Sequence, residues 1–171
     1  RNVVANYGSE VEWIKSDNII LDRLEPTPAV EHLSATGASL GRTADAGDLL
    51  VVCIAGSPAS IGRSAMLDRT VAFNQQINAI SLDDGHPRFL LEQLRLRPEL
   101  VRGKSTGGMK GLVSKSALQS VEVLWPSVMV QQRYIEQLRA LDVLADQARK
   151  ASERLMELAS SVQARAFNGE L

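Results

Sequence analysis

The sequence predicts an α+β fold: a compact domain of short strands and small helices, followed by one long coiled-coil α-helix. Three observations predict it. Before Pro126, short apolar runs alternate with turn residues, the texture of a small mixed domain. From Val128 to Phe167 there is no Gly or Pro, and Ala, Leu, Gln, Glu and Arg dominate, all good helix formers. The 171 residues are 44% apolar and 23% charged, ordinary values for a globular chain of one domain plus an appendage. The expected division is therefore 1–126 and 127–171.

Val11–Leu21 reads as two short β pieces interrupted by Ser16-Asp17-Asn18. Gly47-Asp48 then opens Leu49–Ala55, seven residues and the longest unbroken apolar run. Its β-branched content suits a buried strand, and it is far shorter than the ~20 residues that span a bilayer. No membrane partner is expected. Ala65–Leu67, Val71–Phe73 and Ile77–Leu82 are further strands. Pro87 suits the first turn of a helix continuing to Arg97. Residues 98–117, rich in Gly, Ser and Lys, read as a loop closed by a helical turn from Ser114. In residues 120–125, Val121, Val123 and Trp125 alternate as in a half-buried strand.

Ser127 can cap the long helix and Asn168-Gly169 can end it in a left-handed residue. Forty residues at a 1.5 Å rise make ~60 Å. Leu138, Ala145, Ser152 and Ala159 alternate at heptad spacing with Leu141, Ala148, Leu155 and Val162. Leu144, Ala151 and Leu158 flank them. A stripe this long needs another long helix, and its alanines predict close backbone approach.

Net charge is −1, but it is unevenly spread. Residues 1–61 carry four basic and eight acidic side chains, whereas 86–119 carry seven basic and two acidic. A local basic surface on a nearly neutral chain follows. The single cysteine, Cys53, excludes an internal disulfide and fits a reducing, cytoplasmic setting. With only His32 and His86 besides, zinc spacings are missing, and no metal or other cofactor is expected. The N-terminus has no basic stretch leading into an apolar one, so it reads as the start of a segment within a longer chain rather than a signal peptide.

Leu49–Ser64 imitates a phosphate-cradling loop but fails in detail. Five residues separate Gly56 from Gly62, Arg63 stands where a Lys is required, and the following segment is β-rich. Thr106–Gly111 is a Gly-rich basic stretch that follows no strand. No hydrolytic triad, nuclease E-x-K triplet or base-methylation Asn-Pro-Pro-aromatic motif is present, so the sequence predicts no catalytic residues and no enzyme.

Taken in order, the segments resemble the specificity subunits of Type I restriction–modification systems. The residues that carry this are Trp13-Ile14-Lys15, Gly47-Asp48, Ile61-Gly62-Arg63, Phe73-Asn74-Gln75, Leu112-Val113-Ser114-Lys115, Trp125-Pro126, Gln131-Gln132 and the terminal Ala166-Phe167-Asn168-Gly169-Glu170-Leu171. The match runs over residues 11–171, with Asn168 departing from the usual serine. The resemblance implies a DNA target recognition domain, N-terminally incomplete at residues 1–126, and a spacer helix at 127–171. It implies double-stranded DNA as ligand. The implied protein partners are methyltransferase subunits, the restriction subunit through them, and a second specificity half or a second copy bound through the helix. The expected DNA contacts are Ser57, Ser60, Arg63, Arg102, Lys104, Ser105, Thr106 and Lys110. The expected pairing seam is Leu138, Leu141, Ala145, Ala148, Ser152, Leu155, Ala159 and Val162. Asn74 and Gln75 are expected to be framework hydrogen-bonders. The alternative is a coiled-coil adaptor whose globular domain binds a protein.

Overall fold

A computed structural model describes residues 3–106 and 111–169. The chain divides into two compact units, one ending at Val128 and one beginning at Met129.

In chain order, the first unit contains β1 (Tyr7–Ile14), β2 (His32–Leu33), α1 (Ala35–Ser39), β3 (Arg42–Ala44), β4 (Leu49–Val52), β5 (Ile54–Ala55), β6 (Ser64–Met66), β7 (Val71–Phe73) and β8 (Ile77–Ile80). There follow α2 (Pro87–Leu96), α3 (Glu99–Arg102), β9 (Gly111–Leu112) and α4 (Lys115–Gln119). The strands make three small sheets, ordered β2-β1-β7-β3, β6-β4-β8 and β5-β9. Among the described residues only β1 and β7 run parallel, with Trp13 opposite Ala72 and Ile14 opposite Phe73.

β4 is the centre. All four of its residues and Cys53 are fully buried, and it pairs with β6 on one side and β8 on the other. This two-sided burial explains the unbroken apolar run, because neither face of the strand meets water. The run is broken at Cys53, where the N–H groups of Cys53 and Ile54 both donate to the Gln76 carbonyl, at 2.8 and 3.0 Å. Burial raises the Cys53 thiol pKa, so Cys53 is a small core residue with little thiolate.

Several expectations need correction. Ile19–Leu21 is not a strand: the chain makes a 3-10 turn at Ser16–Asn18, and Ile19 enters the core from irregular backbone. The supposed loop at 98–117 contains α3 and β9 as well as α4, whose cap is Ser114 Oγ accepting from Ala117 N at 3.1 Å. Residues 120–125 form no strand. Val121 and Val123 do pack against the core, but the neighbour is a side chain. Gln93 donates to the Leu124 carbonyl (2.9 Å) and accepts from its N–H (2.8 Å), copying the two bonds of a strand partner without a strand. Asn74 is the expected framework residue: its Oδ1 accepts from Gln76 N and its Nδ2 donates to Gln76 Oε1, both at 3.0 Å. Gln75 is exposed, and Gln76 takes the role assigned to it, also accepting from Ser16 Oγ at 3.1 Å.

Glu12 on β1 accepts from Arg69 and from Ala29 N, fastening two loops to the sheet. The Arg69 guanidinium holds the Glu12 carboxyl below its ordinary value of 4.5, against an opposing push from burial. A depressed native pKa adds stability above the unfolded value that is lost as pH falls through the native one. Glu12→Gln should cost about 1–3 kcal/mol at neutral pH. Its deficit relative to the parent should shrink below about pH 4.5, which urea titrations at two pH values would measure.

The second unit is built on α5 (Val128–Phe167), 40 residues without interruption, whose first residue falls in the first unit. Gly169 follows it with φ +74°, the left-handed ending the sequence predicts. Asp146 pairs with Arg149 and Lys150, and Arg149 with Glu153, each at 2.7 Å. At 100° per residue these charges lie on a different face from the Leu138–Val162 seam. Three of the seam's large side chains are solvent-exposed in the single chain, Leu141 59%, Leu155 67% and Val162 54%, while Leu138 is half-buried.

Candidate nucleic-acid interface

Two segments forty residues apart in sequence lie side by side in the first unit. The cause is the short β5–β9 pairing, Ile54 opposite Leu112 and Ala55 opposite Gly111, extended by Val113 N donating to the Cys53 carbonyl at 2.8 Å. This register brings the loop after β5, residues 56–63, against the turn that runs from α2 through α3 towards β9.

The seam between the loops is tight. Gly62 has φ +85°, and a Cβ there would lie 2.6 Å from the Pro98 carbonyl oxygen, so only glycine fits. Gly111 lies against Ile61, where a Cβ would meet Ile61 Cδ1 at 2.3 Å. Ile61 itself is fully buried and anchors the first loop from beneath. Arg102 reaches from α3 to within 3.5 Å of the Ala59 carbonyl.

Among the described residues, the expected contacts Ser57, Ser60, Arg63, Arg102, Lys104, Ser105 and Thr106 all lie on these two adjoining segments, with differing freedom. Ser57 and Lys104 are exposed, while Ser60 and Arg102 are half-buried. Ser105 and Thr106 have their hydroxyls committed to the Leu112 carbonyl, at 3.4 and 3.2 Å, which closes the turn and leaves their oxygen lone pairs as acceptors. Lys110, with Gly107, Gly108 and Met109, lies outside the described residues. Arg63 extends the β4–β6 ladder by one step, its carbonyl accepting from Val52 N at 2.9 Å. Its Nε is inaccessible and without a hydrogen-bond partner among the described residues, as is that of Arg102. Both side chains are half-buried, and Arg102 spends one terminal nitrogen on the Ala59 carbonyl.

Segments 56–63 and 97–106 carry Arg63, Arg97, Arg102 and Lys104 against one acid, Glu99. Glu99 pairs with Arg97 at 3.4 Å. Three cations remain on a surface of small polar residues and backbone amides, suited to an extended polyanion. Arg63-Ser64 leads into β6 rather than a helix, so the phosphate-loop geometry is lacking here. Among the described residues no three His, Cys, Asp or Glu side chains cluster as a metal site, and no helix is long and apolar enough to cross a membrane. Composition alone hid α3 and β9, which are shorter than the patterns that mark a helix or strand in sequence.

Neither a family model nor a curated protein sequence matches the chain. Solved structures do. A chain from a structure addressing complex assembly and conformational transition of the type I R-M system matches the whole of this chain and 42% of its own length, at 20% identity and a TM-score of 0.67. The HsdS subunit of Thermoanaerobacter tengcongensis matches it over the whole of this chain and 41% of its own length, at 20% identity and a TM-score of 0.63. The chain thus spans about two-fifths of these solved chains and shares the fold of the part it covers.

Proposed function

We propose that this chain reads one half of a bipartite DNA site as a non-catalytic specificity subunit, or half-subunit, of a Type I restriction–modification system. The observation that carries the proposal is the β5–β9 register, which joins two loops into one cationic face. The fold shared with HsdS supports it. In this reading the first unit, with the boundary near Pro126, is the target recognition domain. α5 is the spacer helix that docks methyltransferase subunits and pairs with a second half or a second copy. Methylation and cleavage reside in the partner subunits, and the setting is the cytoplasm.

Lys104 and Lys110 hold phosphates, contributing affinity that is indifferent to sequence. Arg63, half-buried at the end of the first loop, is the candidate reader of a guanine edge in the major groove, because a guanidinium can bond that edge in a bidentate fashion. Ser57, Ser60, Ser105 and Thr106 supply shorter polar contacts, and Arg102 braces the first loop while facing the backbone.

Binding to duplex DNA at several salt concentrations tests this assignment. Lys104→Ala with Lys110→Ala should flatten the slope of log K against log[salt] by roughly 2, weakening all sequences equally. Arg63→Ala should cost ~1–3 kcal/mol at one base position and relax specificity there. An unchanged salt slope in the lysine variant moves the DNA face elsewhere, and a uniform loss in Arg63→Ala makes that residue a phosphate contact.

A further inference from the structure

A groove of about 600 Å³ opens on the first unit between the β3–β7 pair, the end of β8 and α4. The candidate contact residues of the two loops do not line it. Arg42 and Lys115 do, together with Asn78, Ser81 and Gln119, and no carboxylate is among its lining residues.

Arg42 is held in place. Its guanidinium lies 4.8 Å from the centre of the Phe73 ring, and one Nη donates to the Asn74 carbonyl at 2.7 Å. Stacking and that bond fix the plane of the group and leave its other N–H donors for a ligand, at little further entropic cost. Among the described residues Arg42 has no ion-pair partner, and neither has Lys115, which is exposed at the start of α4. Two unpaired cations, one of them oriented, beside amide and hydroxyl donors form a site for an oxyanion with several acceptor oxygens. Lys115 lies four residues beyond Gly111, so the groove is tied by β9 to the same strand pairing that builds the loop face.

We propose that the Arg42–Lys115 groove is a second phosphate seat, gripping the sugar–phosphate backbone of the duplex that the two loops read. This rests on the DNA-recognition reading above. It adds that reading depends on two separate grips, one beside the bases and one on the flanking backbone. A groove contact to phosphate carries no sequence information, so it strengthens every site alike.

The test measures binding of the chain, assembled with its methyltransferase subunits, to duplex DNA across a salt series. Arg42→Gln with Lys115→Ala should reduce the salt slope by roughly 1.8, at about 0.9 per phosphate contact, without altering base preference. Lys115→Ala alone, which removes no hydrogen bond among the described residues, should give about half of that and guards against a folding defect in the Arg42 variant. Arg154→Ala, an exposed cation on α5, should leave the slope unchanged. Separately, a mononucleotide monophosphate and inorganic phosphate are added to the chain without DNA and thermal stability is followed. Neither should produce a shift that depends on Arg42 and Lys115.

The proposal is overturned if the groove variants keep the parental slope while Lys104→Ala lowers it. In that case the DNA reading stands and the groove plays no part in it. It is equally overturned if Arg154→Ala lowers the slope as much, or if the mononucleotide stabilises the parent and not the variant, which makes the groove a free-nucleotide site. Absence of duplex binding by the parental assembly removes the DNA reading itself.

Discussion

Gly62→Val should lower the unfolding free energy by about 2–4 kcal/mol and separate the two loops of the proposed DNA face. Two costs combine. A branched side chain at φ +85° is strained by the backbone alone. Its Cβ would also lie 2.6 Å from the Pro98 carbonyl oxygen, an atom of the chain that cannot swing aside. Either the loop at 56–63 lifts or the α2–α3 turn retreats, and both movements pull Arg63 away from Arg102 and Lys104. Duplex binding should therefore fall by more than the loss of folded protein accounts for. Gly56→Ala is the control: a Cβ there meets nothing within 4 Å, so stability should change by less than about 0.5 kcal/mol. Denaturant titration followed by circular dichroism, with binding measured at a temperature where both variants are folded, separates the two effects.

Ala148→Glu should weaken helix pairing by about 2–4 kcal/mol through overpacking and a buried charge. Leu141, Leu155 and Val162 of the seam are exposed in the single chain, and apolar side chains repeated along one stripe of a long helix are what a partner helix covers. Ala148 sits between them, and in the pairing proposed above a closely approaching helix leaves no room there for a carboxylate. Sedimentation velocity on parent and variant reads the outcome. Unchanged assembly would place the seam on another face of α5.

The parts of the fold that could be read from sequence are those where one physical signal dominates. The helix Val128–Phe167 was legible to the residue because forty positions without Gly or Pro, rich in strong helix formers, also carry an apolar repeat at helical spacing. β7 and α2 were legible because apolar runs there are bounded by turn residues or proline. β4 was legible as a buried strand, but its break at Cys53 was not, since the break comes from one carbonyl, that of Gln76, accepting two consecutive N–H groups. Residues 120–125 misled for a related reason. Their alternation is real, but the partner is the Gln93 amide thirty-one residues away in the chain. β9 is two residues long and meaningful only through its pairing with β5, a contact that local pattern does not encode.

The candidate site divides along the same line. Charge excess picked out Arg102 and Lys104, and position in the loop picked out Ser57, Ser60 and Arg63. That these lie on one surface depends on Gly62 and Gly111, whose lack of a side chain lets the segments touch. Arg42, on which the proposed second seat rests, was not among the sequence candidates. Nothing on β3 marks it as unusual until Phe73 is seen beneath its guanidinium.

Selection from a random duplex pool tests the central claim most directly, using the chain assembled with the methyltransferase subunits of its system. The account predicts enrichment of a fixed half-site of a few base pairs, with preference relaxed at one position in Arg63→Ala and unaltered in Lys104→Ala. Recovery of a pool indistinguishable from the input, by an assembly shown to be intact, would contradict it.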